Sequence, residues 1–107
     1  MALYLKNKKK IETIFEKGFI IKVDGLLFKG YDFKDDEIKY GVSVSKKLFP
    51  LAVDRNLIKR RLKEQAKNVK IAGFVAKGVS FFLIYTSKQI LNSNEIKRRI
   101  ESLSRKL

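Results

Sequence analysis

The chain has 107 residues, 25 Lys and Arg against 11 Asp and Glu for a formal charge of +14, no His, no Cys, eight Phe and four Tyr. That length suits one domain with one core, and 45% hydrophobic residues suffice to fill it, which excludes global disorder. Without Cys there are no disulfides or thiolate metal sites; without His there is no ready general base near neutral pH and no usual zinc ligand, so a self-sufficient nuclease of the paired-histidine type and a zinc enzyme are excluded.

The stretch from Met1 to Lys10 turns basic before any apolar run of signal-peptide length, and no segment approaches a membrane span, so a cytoplasmic protein is expected. Ile11, Ile14 and Phe15 at helical spacing predict a first helix over Lys8 to Lys17, stopped at Gly18. Phe19 to Val23, the turn Asp24-Gly25 and the return Leu26 to Phe33 read as a β-hairpin. After a polar loop at Lys34 to Glu37, Ile38, Tyr40, Val42 and Val44 alternate with Lys39, Gly41, Ser43 and Ser45, the pattern of a half-buried third strand. From Leu51 to Val69 there is no Gly or Pro, and Leu51, Ile58, Leu62, Ala66 and Val69 form one stripe of the longest helix. A loop at Gly73 to Gly78 precedes Val79 to Tyr85, a nearly continuous apolar run that predicts a central strand covered on both faces. Asn92 with Glu95 makes a capping-box pattern before a final helix with the stripe Ile96, Ile100, Leu103, Leu107. The expected fold class is α+β, in the order α-β-β-β-α-β-α: a two-layer sandwich in which the long helix packs on a four-stranded sheet, with residues 1–107 as a single domain.

The net charge points to a polyanionic partner, and nucleic acid is the commonest, because each neutralised phosphate releases condensed counterions. A membrane surface requires a basic helix with apolar area to spare, and here every apolar stripe is needed for the core. Helical projection places Asn56, Lys59, Arg60, Lys63 and Lys67 on one face opposite Ile58, Leu62 and Val69, with Arg55 at its border and Arg61 on the far flank, where it should contribute least. Like charges at i,i+4 cost roughly 0.2 to 0.5 kcal/mol per pair, and the helix dipole disfavours Arg55 and Lys59 in the N-terminal half; phosphates would relieve both. The Asn56 amide suits a base edge or a 2′-hydroxyl and equally a local backbone contact. Ser43, Ser45, Lys46 and Lys47 extend the basic surface off the third strand, where backbone amides ahead of the helix can join in holding phosphates. Among the aromatics, Phe15, Tyr31 and Phe33 are the candidates for an exposed surface on which single-stranded bases stack. Asp35, Asp36 and Glu37 read as a polar loop and not a metal site, so neither metal ligands nor catalytic residues are assigned to the chain. A DNA-binding module would show a short recognition helix in a helical domain and a dimer interface, and neither is visible.

The segment from Gly41 to Lys63 joins Gly-x-x-Val-Ser-Lys-Lys, at a strand end, to Ala-x-x-Arg-Asn-x-Ile-Lys-Arg-x-x-Lys, on a helix. This resembles the signature of the bacterial ribonuclease P protein subunit, and length, charge and element order extend the resemblance over essentially the whole chain. The resemblance implies a ribosomal-protein-S5-like fold whose β-α-β crossover is left-handed, against the usual rule. It implies binding to ribonuclease P RNA through Arg55, Asn56, Lys59, Arg60 and Lys63, and a cleft between the first helix and the sheet that takes the 5′ leader of precursor tRNA, which fits Phe15. On this reading the protein assists endonucleolytic 5′ maturation of tRNA. It binds no cofactor itself, and the RNA subunit holds the catalytic Mg²⁺. The runner-up is a ribosomal or other structural RNA-binding protein with no role in cleavage. The link Leu48-Phe49-Pro50-Leu51 is one residue longer than the usual Gly-containing one, so a different approach to the helix is expected; Leu57 and Ile11 also depart from the pattern.

Overall fold

A computed structural model describes residues 3–107; Met1 and Ala2, which head the basic N-terminal stretch, lie outside it. The elements are β1 (Leu3–Tyr4), α1 (Lys8–Lys17), β2 (Phe19–Val23), β3 (Leu26–Asp32), β4 (Lys39–Val44), α2 (Ala52–Val69), β5 (Val79–Tyr85) and α3 (Ser93–Ser104). The four expected strands lie in the order β4-β5-β3-β2, and the two-residue β1 extends the sheet beyond β4. Pairing is mixed: β2-β3 and β3-β5 are antiparallel, whereas β4-β5 is parallel, with α2 as the crossover. The hairpin turns at Asp24-Gly25, where Gly25 has φ +77°, a left-handed backbone suited to glycine.

Period-2 alternation gives the sheet its main buried face. Leu26 and Phe28 of β3, Val42 and Val44 of β4, and Phe81, Leu83 and Tyr85 of β5 meet Ile58, Leu62 and Ala66 of α2 and Ile96, Ile100 and Leu103 of α3. The capping box of α3 is present: Asn92 Oδ1 accepts from the Glu95 amide at 2.9 Å, and the Asn92 amide donates to Glu95 Oε1 at 3.3 Å. Leu51 departs from its expected place on the α2 stripe. It is the N-cap residue with extended backbone and is 65% exposed, so the buried stripe starts about two turns later, at Ile58. At its other end α2 stops at Lys70, which adopts a left-handed conformation and donates its amide to the Ala66 and Lys67 carbonyls.

The two-layer packing of α2 and α3 accounts for one face; α1 covers part of the other. Ile14 and Leu5 are buried there with Phe82, and Ile11, Tyr31, Phe33 and Ile84 pack around them. The strand β5 is therefore covered on both sides, as its unbroken apolar run predicted. No helix among the described residues is long and apolar enough to cross a membrane.

An ion pair fastens α1 to the loop between β3 and β4: Lys10 Nζ lies 2.6 Å from Asp35 Oδ2 and 3.5 Å from Glu37 Oε2. The Lys10 ammonium and the Glu37 amide hold the Asp35 carboxyl below its ordinary value of 3.8, and the Asp35 hydrogen bond raises Lys10 above 10.5. A depressed carboxyl stabilises the fold above its unfolded pKa and loses that contribution as pH falls through its lower folded value; a raised ammonium contributes below its unfolded pKa and loses it as pH rises through its higher folded value. Docking of α1 is thus expected to loosen in the acid range below 3.8. Hydrogen exchange of the α1 amides measures it, and exchange that is no faster in acid, after correction for the intrinsic rate, would contradict it.

Candidate nucleic-acid interface

The parallel strands β4 and β5 end at the same edge of the fold, and the chain leaves β4 into a turn before starting α2. Ser45 Oγ accepts from the Lys47 amide at 3.0 Å, and the Ser45 carbonyl accepts from the Phe49 amide at 3.0 Å, which leaves Ser45, Lys46 and Lys47 exposed at the mouth of the turn. Phe49 is buried edge-on to Tyr85 at 5.8 Å. The link Leu48-Phe49-Pro50-Leu51 is secured from the helix itself: Arg55 Nη1 donates to the carbonyls of Phe49 and Pro50, both at 2.8 Å. Arg55 is half-buried and clamps the approach to α2, so its position at the border of the basic face serves the lead-in directly.

Beyond it the projected face is real. Asn56, Arg60, Lys63 and Lys67 are exposed and Lys59 is half-exposed, whereas Ile58, Leu62, Gln65 and Ala66 are buried. The side chains of Lys59, Arg60 and Lys67 have no hydrogen-bond or ion-pair partner among the described residues. Arg61 faces away: its Nη1 donates to the Leu91 carbonyl at 2.8 Å and ties α2 to the segment before α3. Replacing Arg61 by Gln is expected to cost about 1 to 2 kcal/mol of stability through this charge-assisted bond and to leave RNA affinity nearly unchanged. Chemical denaturation and an RNA titration of the same variant check the two halves; a large affinity loss at unchanged stability would reverse the assignment.

On the other face, the three candidate stacking residues divide. Phe15 is 41% exposed and lies 5.2 Å from the ring of Phe82, with Lys29 Nζ 5.5 Å from its centroid. Lys29 Nζ also donates to the Phe15 carbonyl at 2.6 Å, closing the end of α1 onto β3. Tyr31 and Phe33 instead pair with each other at 4.9 Å, half-buried in the cluster beneath α1, with Lys10 Nζ 4.9 Å from Phe33. The residue that sequence reasoning missed here is Phe82. An unbroken apolar run hides which of its members turns toward α1, and Gly41 on the neighbouring strand was the available signal: a Cβ there would stand 2.6 Å from the Phe82 ring. The acidic loop carries ion pairs, Asp35 and Glu37 with Lys10, Glu37 with Lys39 at 3.3 Å, and Asp36 with Lys77 at 3.6 Å, in line with its reading as a polar loop.

An α+β domain with a cationic helix face, and with an exposed aromatic and a lysine on the other side of its sheet, is that of a polyanion-binding protein. The family model for Ribonuclease P matches residues 2–107, and the chain belongs to the ribonuclease P protein family. It is similar in structure to the ribonuclease P protein of Staphylococcus aureus, with TM-score 0.79 and 25% identity over 98% of this chain and 94% of that one. Similarity to the Thermotoga maritima protein, with TM-score 0.79 and 19% identity over 97% and 96% of the chains, concerns the fold alone. A search of curated proteins finds no match. Membership gives the chain its role: it is the protein subunit of an endoribonuclease holoenzyme, associates with ribonuclease P RNA and tRNA substrates, and supports 5′ processing of tRNA.

Proposed function

We propose that α2 and the Ser45–Lys47 turn are the surface on which this subunit holds ribonuclease P RNA, and that the α1 side of the sheet receives the 5′ leader of precursor tRNA. The observation that carries the reading is the set of cations at Lys59, Arg60 and Lys67 with no acidic partner among the described residues. Such a face repels itself along the helix, and phosphates supply the missing counter-charge. Phe15 against Phe82, with Lys29 Nζ over its ring, offers an aromatic surface for a base with a cation for the adjoining phosphate. The RNA subunit holds the catalytic Mg²⁺, and the protein supplies charge neutralisation and leader binding in the cytoplasm, with neither DNA nor a membrane as partner. Capture of the tagged chain from cells, followed by sequencing of the bound RNA, is expected to return ribonuclease P RNA as the dominant species. Ribosomal RNA in its place would support a structural RNA-binding role instead.

A further inference from the structure

A cationic recess of about 380 Å³ lies where β5 finishes beside the β2–β3 turn, lined by Gly25, Thr86, Ser87, Lys88, Gln89 and Arg99 with Asp24 at its rim. The loop that forms it is pinned from several sides. The Tyr85 hydroxyl donates to the Gln89 carbonyl and accepts from the Leu91 amide at 3.0 Å. The Thr86 and Ser87 amides donate to the Gly25 carbonyl at 3.0 and 3.2 Å, and the Gln89 amide donates to Ser87 Oγ at 3.1 Å. A Cβ on Gly25 would stand 3.2 Å from both Arg99 Nε and the Ser87 Cβ, so glycine is what lets the guanidinium close against the turn.

Within this rigid frame Arg99 is under-used. Its Nη1 donates to the Glu95 carbonyl at 3.1 Å, but Nη2 lies 3.6 Å from Asp24 Oδ2, a carboxylate that is 96% exposed, and the buried Nε has no hydrogen-bond partner. A buried guanidinium N–H without an acceptor has lost its water for no return, and the Nε and Nη2 edge is the fork that donates bidentately to a phosphate. Exposed Lys88 adds a second cation at the mouth.

We infer that this recess is a phosphate site, in which one phosphodiester of RNA displaces Asp24 and sits between Arg99 and Lys88. The register supports its continuity with the α2 surface: Val44 pairs with Tyr85 and Tyr85 with Leu26, so Ser45, Thr86 and Gly25 leave the sheet side by side. If α2 and the Ser45–Lys47 turn hold RNA as proposed above, a strand on that turn runs past the recess.

Arg99 also packs beside Leu62 and Ile96, so the test uses the rim. Inorganic phosphate is titrated into the full chain while NMR follows the amides of Ser87 to Gln89 and the Arg99 Nε–H. Phosphate is expected to shift these signals, Lys88→Gln to weaken the effect and Asp24→Asn to strengthen it. Asp36→Asn, which changes net charge equally at another exposed acid, should leave it unchanged. With ribonuclease P RNA, Lys88→Gln is expected to make the log affinity against log salt slope shallower by about 0.7 to 0.9. Silence at these signals while α2 amides respond would overturn the site and leave the proposed function standing, as would equal effects of Asp24→Asn and Asp36→Asn. Phosphate binding here with the RNA affinity and slope of Lys88→Gln unchanged would overturn the RNA assignment.

Discussion

Substituting Lys59, Arg60 and Lys67 together by Gln should weaken binding to ribonuclease P RNA by about a hundredfold at roughly 0.15 M salt, because each lost phosphate contact forfeits about 0.7 to 0.9 released counterions and so about four- to sixfold in affinity. These are the three face cations without partners among the described residues, so their removal breaks no hydrogen bond within the fold. Gln keeps the helix propensity, and each like-charge pair at i,i+4 that disappears, such as Lys59 with Lys63, returns roughly 0.2 to 0.5 kcal/mol to the helix. The variant should therefore be as stable as the parent, or slightly more. If the whole interface neutralises about five phosphates, the parent's log affinity falls with log salt at a slope of roughly −4, and the variant's at roughly −2. Titrations at several salt concentrations read both quantities. An unchanged slope would remove α2 from the interface.

Truncating Phe81 to Ala has the largest expected effect on the fold. The ring is fully buried, stacked on Phe28 at 4.6 Å and on Tyr40 at 5.1 Å, so it joins the three central strands β4, β5 and β3. Loss of a buried Phe costs about 3 to 5 kcal/mol, against a total stability of about 5 to 15 kcal/mol for a domain. The variant should melt well below the parent. Since an RNA that binds only the folded state stabilises it by mass action, saturating ribonuclease P RNA should recover part of the loss. Thermal unfolding with and without RNA tests this, and a parent-like melting temperature without RNA would contradict the packing assigned to Phe81.

Most of this architecture was legible because its signals are periodic or local. Val79 to Tyr85, the Asp24-Gly25 turn, the Asn92 and Glu95 cap and the helical stripe of Ile58, Leu62 and Ala66 each declare themselves within a few residues. What escaped depends on contacts between distant segments. The strand Leu3–Tyr4 is too short to show alternation. Placing Leu51 on the stripe required knowing where the first turn of α2 begins, and the link before it, held by Arg55, decides that. The basic face was readable from one helix alone, since exposure there follows from the burial of the opposite side. The stacking surface was not: Tyr31 and Phe33 slide under α1 while Phe82 comes up against Phe15, an outcome set by how α1 lies across the sheet. Arg61 was readable as the residue on the far flank, but its bond to the Leu91 carbonyl, 30 residues away, was not.

The most direct measurement is reconstituted cleavage of precursor tRNA, with ribonuclease P RNA, Mg²⁺ and either the parent chain or the Lys59, Arg60 and Lys67 variant. The parent should stimulate 5′ cleavage only when the RNA subunit is present. The variant should require about a hundredfold more protein to reach the same rate, by the counterion argument. Cleavage by the protein without RNA, or a variant that stimulates at parental concentrations, would contradict the account.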